Sequence, residues 1–96
     1  MKIVCSTCEV EYRPYVNGVS VIEYSANGPY KLWQADEWEC PNCLQRVVTG
    51  FADKPIRSHA PEFPVELADV LDHPELVRYD FESQEQRDVF RWSNRN

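Results

Sequence analysis

The stretch Asp36-Glu37-Trp38-Glu39-Cys40-Pro41-Asn42-Cys43 decides the fold, because its cysteine pair answers a second pair, Cys5-Ser6-Thr7-Cys8, placed thirty-one residues upstream. A CxxC turn sets two thiolates side by side while the backbone amides between them face back toward sulfur. Two such turns brought together by a sheet complete a tetrahedron around a metal ion. The alternatives for these residues are four unligated buried cysteines or two disulfides. Disulfides are rare in the reducing compartment expected for this chain, so two closely spaced pairs read as a metal site first. The expected ligands are Cys5, Cys8, Cys40 and Cys43, holding one structural Zn2+, with iron as the other metal that accepts four thiolates.

Outward from the cysteines, the chain alternates short apolar runs with turn signals as far as about residue 53. Lys2-Ile3-Val4 leads into the first pair. Val19, Val21 and Ile22 lie between Asn17-Gly18 and Asn27-Gly28, Gly28-Pro29 opens Tyr30-Lys31-Leu32-Trp33, and Arg46 to Ala52 follows the second pair. These segments are predicted as strands, with the Asn-Gly pairs as hairpin turns, because type I′ turns need positive φ at both central residues. Pro55, Pro61 and Pro64 predict an extended strap over 54–64. Beyond it, Val65 to Leu71 reads as two helical turns, a second short helix is placed near Pro74, and Ser83 with Gln86 forms a capping-box pattern for a helix over 84–92. In that helix Val89, Phe90 and Trp92 are expected to be partly buried. Residues 1–53 are thus expected as a metal-bound β domain and 54–96 as a Pro-rich strap with short helices packing on it in one structural unit.

The paired knuckles resemble those of the zinc-ribbon and rubredoxin-like superfamily, over residues 1 to about 52. The Asp36 to Cys43 segment is similar to the acidic, Trp-then-Cys-Pro run before the second rubredoxin knuckle, and Tyr12 falls where rubredoxins carry an aromatic. The resemblance implies a small α+β fold, an antiparallel β zinc ribbon with C-terminal short helices. It also implies an alternative function, a rubredoxin-like iron electron carrier. Both families place Gly directly after each knuckle, where a left-handed backbone lets amides reach sulfur. Here Glu9 and Leu44 stand instead, a departure that points away from electron transfer.

Charge narrows the partners. The 96 residues carry a formal net charge of −6 with a sequence pI near 4.8. Four thiolates subtract four more and a divalent ion returns two, giving −8 for the metal-bound form. Phosphate-backbone binding needs clustered Lys and Arg, so a nucleic-acid-binding zinc ribbon is the disfavoured reading. An acidic surface suits a basic protein partner, or imitation of nucleic acid at a basic groove, or simply solubility. The start runs into Cys5 without a signal-peptide core, and no segment approaches the roughly 20 apolar residues of a membrane span. A cytoplasmic protein with no membrane partner is expected.

No catalytic set assembles. His59 and His73 each lie in a Pro-rich turn region and read as exposed loop residues. There is no placeable Ser-His-Asp pattern, no Gly-rich phosphate loop and no spare cysteine. The reading is therefore not an enzyme, with no small-molecule substrate. Trp33 and Trp38 are expected in the core. Near the C-terminus Arg87, Arg91 and Arg95 repeat at helical spacing beside Glu85 and Asp88. Arg and Trp are enriched at interface hot spots, which makes Arg87, Arg91 and Trp92 the candidate partner surface. The functional expectation is a non-catalytic, zinc-stabilised protein-protein interaction module. Such an adaptor or inhibitor looks like small accessory proteins of bacteria and their phages, including inhibitors of host defence that mimic nucleic acid.

Overall fold

The computed structural model describes residues 2–93 of the chain. Its backbone is a small α+β arrangement: β1 (Arg13–Ser25), β2 (Gly28–Glu39), β3 (Arg46–Thr49), β4 (Ile56–Arg57), α1 (Phe63–Leu71), a 3-10 turn at Pro74–Leu76, β5 (Val77–Asp80) and α2 (Gln84–Ser93). The sheet runs β3-β2-β1-β5, with β4 joined to β2 farther along. β1 and β2 form one long antiparallel hairpin whose strands pair from Arg13 with Glu39 to Ser25 with Gly28. At about 3.3 Å per residue a strand of this length extends about 40 Å, matching the 42 Å long axis of the molecule.

The Asn-Gly pairs divide in role. The hairpin turns on Ala26-Asn27, between the paired Ser25 and Gly28, with the Asn27 amide donating to Ser25 Oγ at 3.2 Å. Of the expected Asn-Gly pair only Gly28 has positive φ, 111°, so this is not the type I′ turn. Asn17-Gly18, expected as another turn, lies instead inside β1 at a register shift between Val16 and Val19. Gly18 holds φ 85° there, and its amide donates to Asp36 Oδ1 at 2.9 Å. The extra residues bend the strand without ending it, which is what a bulge does.

The sheet is mixed, which corrects the purely antiparallel expectation. β5 pairs parallel to β1, from Ser20 with Val77 to Glu23 with Asp80. The region after Pro74, expected as helix, makes only the short 3-10 turn before this strand. The proline strap also pairs locally, since Ile56 of β4 sits opposite Leu32.

α1 begins two residues earlier than expected, because Pro64 falls in its first turn, where a missing amide costs no intrahelical bond. Phe63, Leu67 and Val70, at i, i+4 and i+7, put one stripe against Ile22, Leu32 and Val77 on one sheet face. On the other face Val19, Val21 and Ala35 are buried beneath Val16, Trp33 and Val48. Glu37 lies buried among them at 5% exposure. Arg78 of β5 meets its carboxylate with two bonds, Nε to Oε2 at 3.0 Å and Nη2 to Oε1 at 2.6 Å, clamping β5 to β2 across β1.

Candidate metal centre

The open end of the hairpin delivers Cys8 and Cys40 to one place, and the two knuckles are built by the same backbone bonds. In the first, the Cys5 amide donates to the Val10 carbonyl at 2.9 Å and the Glu9 amide to the Cys5 carbonyl at 2.8 Å. In the second, the Cys40 amide donates to the Gln45 carbonyl at 2.8 Å and the Leu44 amide to the Cys40 carbonyl at 2.9 Å. The Tyr12 amide, bonded to the Ile3 carbonyl at 2.8 Å, fastens the first knuckle to the strand that leaves it.

All four sulfurs lie within 4.8 Å of one another, and none is in a disulfide. Cys5 Sγ and Cys43 Sγ stand 3.9 Å apart. Four sulfurs at about 2.3 Å from a tetrahedral ion lie about 3.8 Å from each other, so the donor set fits a thiophilic ion and can hold one metal. The four residues named from the sequence are the four that the fold brings together.

The left-handed backbone survives the loss of glycine. Glu9 adopts φ 58° and Leu44 φ 67°, the conformation for which glycine was expected after each knuckle. A non-glycine residue there costs about 1 kcal/mol or somewhat more, so each knuckle carries local strain that its turn geometry imposes. The replacement of Gly therefore does not remove the amide-to-sulfur geometry, and the inference drawn from it against electron transfer loses its structural ground.

Backbone amides polarise the sulfurs. The Cys8 amide, opposed by burial and aided by the Thr7 amide, lowers the Cys5 thiol to about 6. The Cys43 amide, 3.5 Å from Cys40 Sγ, and then the Asn42 amide hold the Cys40 thiol below its ordinary value against burial. For Cys43 the Gln45 amide pulls downward, but the Cys40 sulfur, burial and the other sulfurs outweigh it and raise the thiol to about 11. A site in which some thiols give up their protons readily while another holds on is one in which metal binding displaces the last protons.

The surrounding shell is aromatic. Tyr12 is buried against Cys5 and Cys40, with Ile3, Trp38 and Val47 packed on the same cluster. Burial and then the charge of Cys5 raise the Tyr12 hydroxyl above its ordinary value. Trp38 Nε1 is buried with no hydrogen-bond partner among the described residues, a donor left beside a centre that becomes anionic when four thiolates bind a divalent ion. Trp33, by contrast, packs edge-on to Phe51 at 5.7 Å and donates to Glu23 Oε1 at 2.8 Å.

The other sequence candidates do not join this site. His59 and His73 are exposed, and His73 only approaches Glu75, at 3.9 Å. On α2, Ser83 Oγ accepts from the Gln86 amide at 3.1 Å, as the capping pattern requires, while Gln86 reaches the Glu82 amide and, through Nε2, the Ser25 carbonyl at 2.7 Å. Phe90 faces Tyr24, Tyr79 and Phe81. Val89 and Trp92, expected to be partly buried, are 60% and 73% exposed. At 100° per residue Trp92 points about 140° away from Arg87. Arg87 lies half-buried on the inward side with Gln86, bonded to Asp88 at 2.8 Å, while Arg91 is exposed. Arg87 and Arg91, about 40° apart, share one side of the helix while Trp92 lies round from both, and Arg95 lies outside the described residues. The sequence reading passed over Glu37 and Arg78. Its available signal was the two-residue alternation Trp33, Ala35, Glu37, which places a carboxylate on a buried face.

Among the described residues no helix is long and apolar enough to cross a membrane. Comparison with protein-family models, with curated proteins and with solved structures finds no match to this chain.

Proposed function

We propose that this chain is a non-catalytic zinc-binding module of zinc-ribbon type that acts through protein contacts, as an adaptor or inhibitor. The supporting observation is the gathering of four sulfurs from two matched knuckles. With four thiolates bound, a tetrahedral ion has no open position for water or substrate, so the metal serves as scaffold. When bound, zinc supplies folding free energy and no redox chemistry. Cys5 and Cys40 anchor it from inside, and Cys8 and Cys43 close it from outside. The excess of 16 acidic over 10 basic residues favours a basic partner surface.

A second reading, an iron electron carrier, is favoured by one specific observation, the left-handed Glu9 and Leu44 that keep the knuckle amides turned to sulfur. Amide bonds to sulfur are a lever on the potential of iron-thiolate centres. One experiment separates the two: purification without added metal, followed by metal analysis and a visible spectrum. Colourless protein with one equivalent of zinc supports the scaffold. Coloured protein that bleaches on reduction and recovers on reoxidation sinks it. Partner action is tested by passing lysate over immobilised protein in its metal-loaded and chelated forms; a retained partner must depend on the metal.

A further inference from the structure

The four cysteines differ in access. Cys5 and Cys40 are 2% and 0% exposed, and Cys8 is half-buried against the aromatic cluster. Cys43 is exposed, and so are Pro41, Asn42, Leu44 and Gln45 on either side of it. Leu44, at 62% exposure, lies out in solvent rather than folded over the sulfur. The second knuckle therefore presents one ligand to solution while its partner is sealed. A metal keeps a coordinating thiol deprotonated, and the thiolate is the nucleophilic form of cysteine.

We infer that Cys43 is a modification site: the ligand through which a small, neutral, soft electrophile, such as a hydroperoxide, enters the metal centre and releases the ion. The inference rests on the four-thiolate metal site proposed above. In the first step the Cys43 thiolate attacks one oxygen of hydrogen peroxide. The O–O bond breaks, sulfenic acid forms on Cys43 and hydroxide leaves. In the second, the Cys5 thiolate, 3.9 Å away, attacks that sulfur, the S–S bond forms and a second hydroxide leaves. Two thiolates together lose two electrons, peroxide gains them, and the ion is left with two ligands. Cys8 and Cys40, the remaining pair, do not close a tetrahedron, so the metal dissociates and the knuckles lose their tie.

The test uses the full chain in its metal-loaded form, with metal content measured first. Limiting N-ethylmaleimide, quenched in acid and mapped by peptide mass, should place at least about fivefold more adduct on Cys43 than on Cys5 or Cys40, as access governs thiolate modification. Graded hydrogen peroxide should release zinc in step with a Cys5 to Cys43 disulfide. Cys43→His, which retains a fourth zinc ligand, should bind zinc yet resist its release by peroxide. Earlier labelling of Cys8, equal labelling of all four, or zinc release by peroxide that is unchanged in Cys43→His overturns the inference while leaving the metal site intact. Protein that takes up no metal overturns the site itself, and this inference with it.

Discussion

The two ends of the hairpin are held by different physics. At the open end, two backbone knuckles bring four sulfurs together around Tyr12 and Trp38, a donor set that can hold one metal ion. At the turn, Tyr24, Tyr79, Phe81 and Phe90 meet with ring centroids 5.1 to 6.1 Å apart, and α2 is tied down by the Gln86 bond to the Ser25 carbonyl. Ring packing of this sort contributes through burial plus roughly 0.5 to 1.5 kcal/mol per well-placed pair. If an ion ties the open end as proposed, that end is switchable, because chelation or protonation removes the tie. The aromatic end has no such handle. On that proposal the chain has one pole whose order is conditional and one whose order is constitutive.

The largest test breaks the conditional pole. Cys40→Ser removes a fully buried ligand, and the chain should lose stoichiometric metal and several kcal/mol of stability, given the roughly 10 kcal/mol or more that structural zinc contributes in small domains. Hydrogen exchange should show the loss first over 3–12 and 38–48, with 77–90 still protected. Uniform loss of protection would mean the poles are not separable. Next in size, Glu37→Gln leaves Arg78 without its carboxylate and should cost about 2 kcal/mol, less than a fully buried pair because Arg78 keeps some solvent.

The pH dependence of that pair has a defined sign. The Arg78 hydrogen bonds, against burial, hold the Glu37 carboxyl below its ordinary value. Its contribution is fully present above the unfolded value of about 4.3. It is lost as pH falls below that and through the lower folded value. Urea melts from pH 6 downward should show this acid loss in the wild type and a shallower one in Glu37→Gln. Equal slopes would assign the acid loss elsewhere.

At the constitutive pole, Phe81→Ala should cost about 2 kcal/mol, below the range for fully buried Phe since Phe81 is only half-buried. Metal content should stay at one equivalent, and a fall in metal would show that the poles communicate. The smallest effect is expected from Leu44→Gly. Relief of a left-handed side chain should gain about 0.5 kcal/mol after the entropy of an added glycine is counted. A loss instead would show that Leu44 makes contacts that matter to the knuckle. Each of these is read from thermal or urea melts of metal-loaded protein beside the wild type.

How much of this was legible in the sequence differs between the poles. The four ligands were legible because metal spacing is local: two residues fix each pair, and the sheet need only return once. The long hairpin was legible in part. Asn27-Gly28 does mark the hairpin end, but only Gly28 has positive φ there, so the turn is not the expected type I′; Asn17-Gly18 carries the same letters and makes a bulge, since a bulge also uses a glycine at positive φ. β5 was missed because Val77-Arg78-Tyr79-Asp80 is only four residues long and follows a helix-starting Pro-Glu. Its strand character comes from pairing with β1, not from local propensity. Burial of Val89 and Trp92 was misread for a related reason: the helical period names a face, but only the tertiary position of Phe90 says which face turns inward. The strain at Glu9 and Leu44 was invisible, because side-chain identity argued one way and the knuckle's hydrogen bonds imposed the other.

The parallel strand β5 also sets an order of events. Val77 meets Ser20 fifty-seven positions earlier in the chain, whereas the hairpin turn joins neighbours and the two knuckles span fewer residues. Contacts of long sequence separation form late, because the loop must close before the pairing returns anything. During synthesis, the metal end and the hairpin can assemble while β5 is still unmade, leaving one edge of β1 open and Ile22 without Val77 beside it. The stretch from Val77 is therefore the one that seals the sheet edge, and an interrupted chain ending before Val77 would present that edge to any other strand nearby.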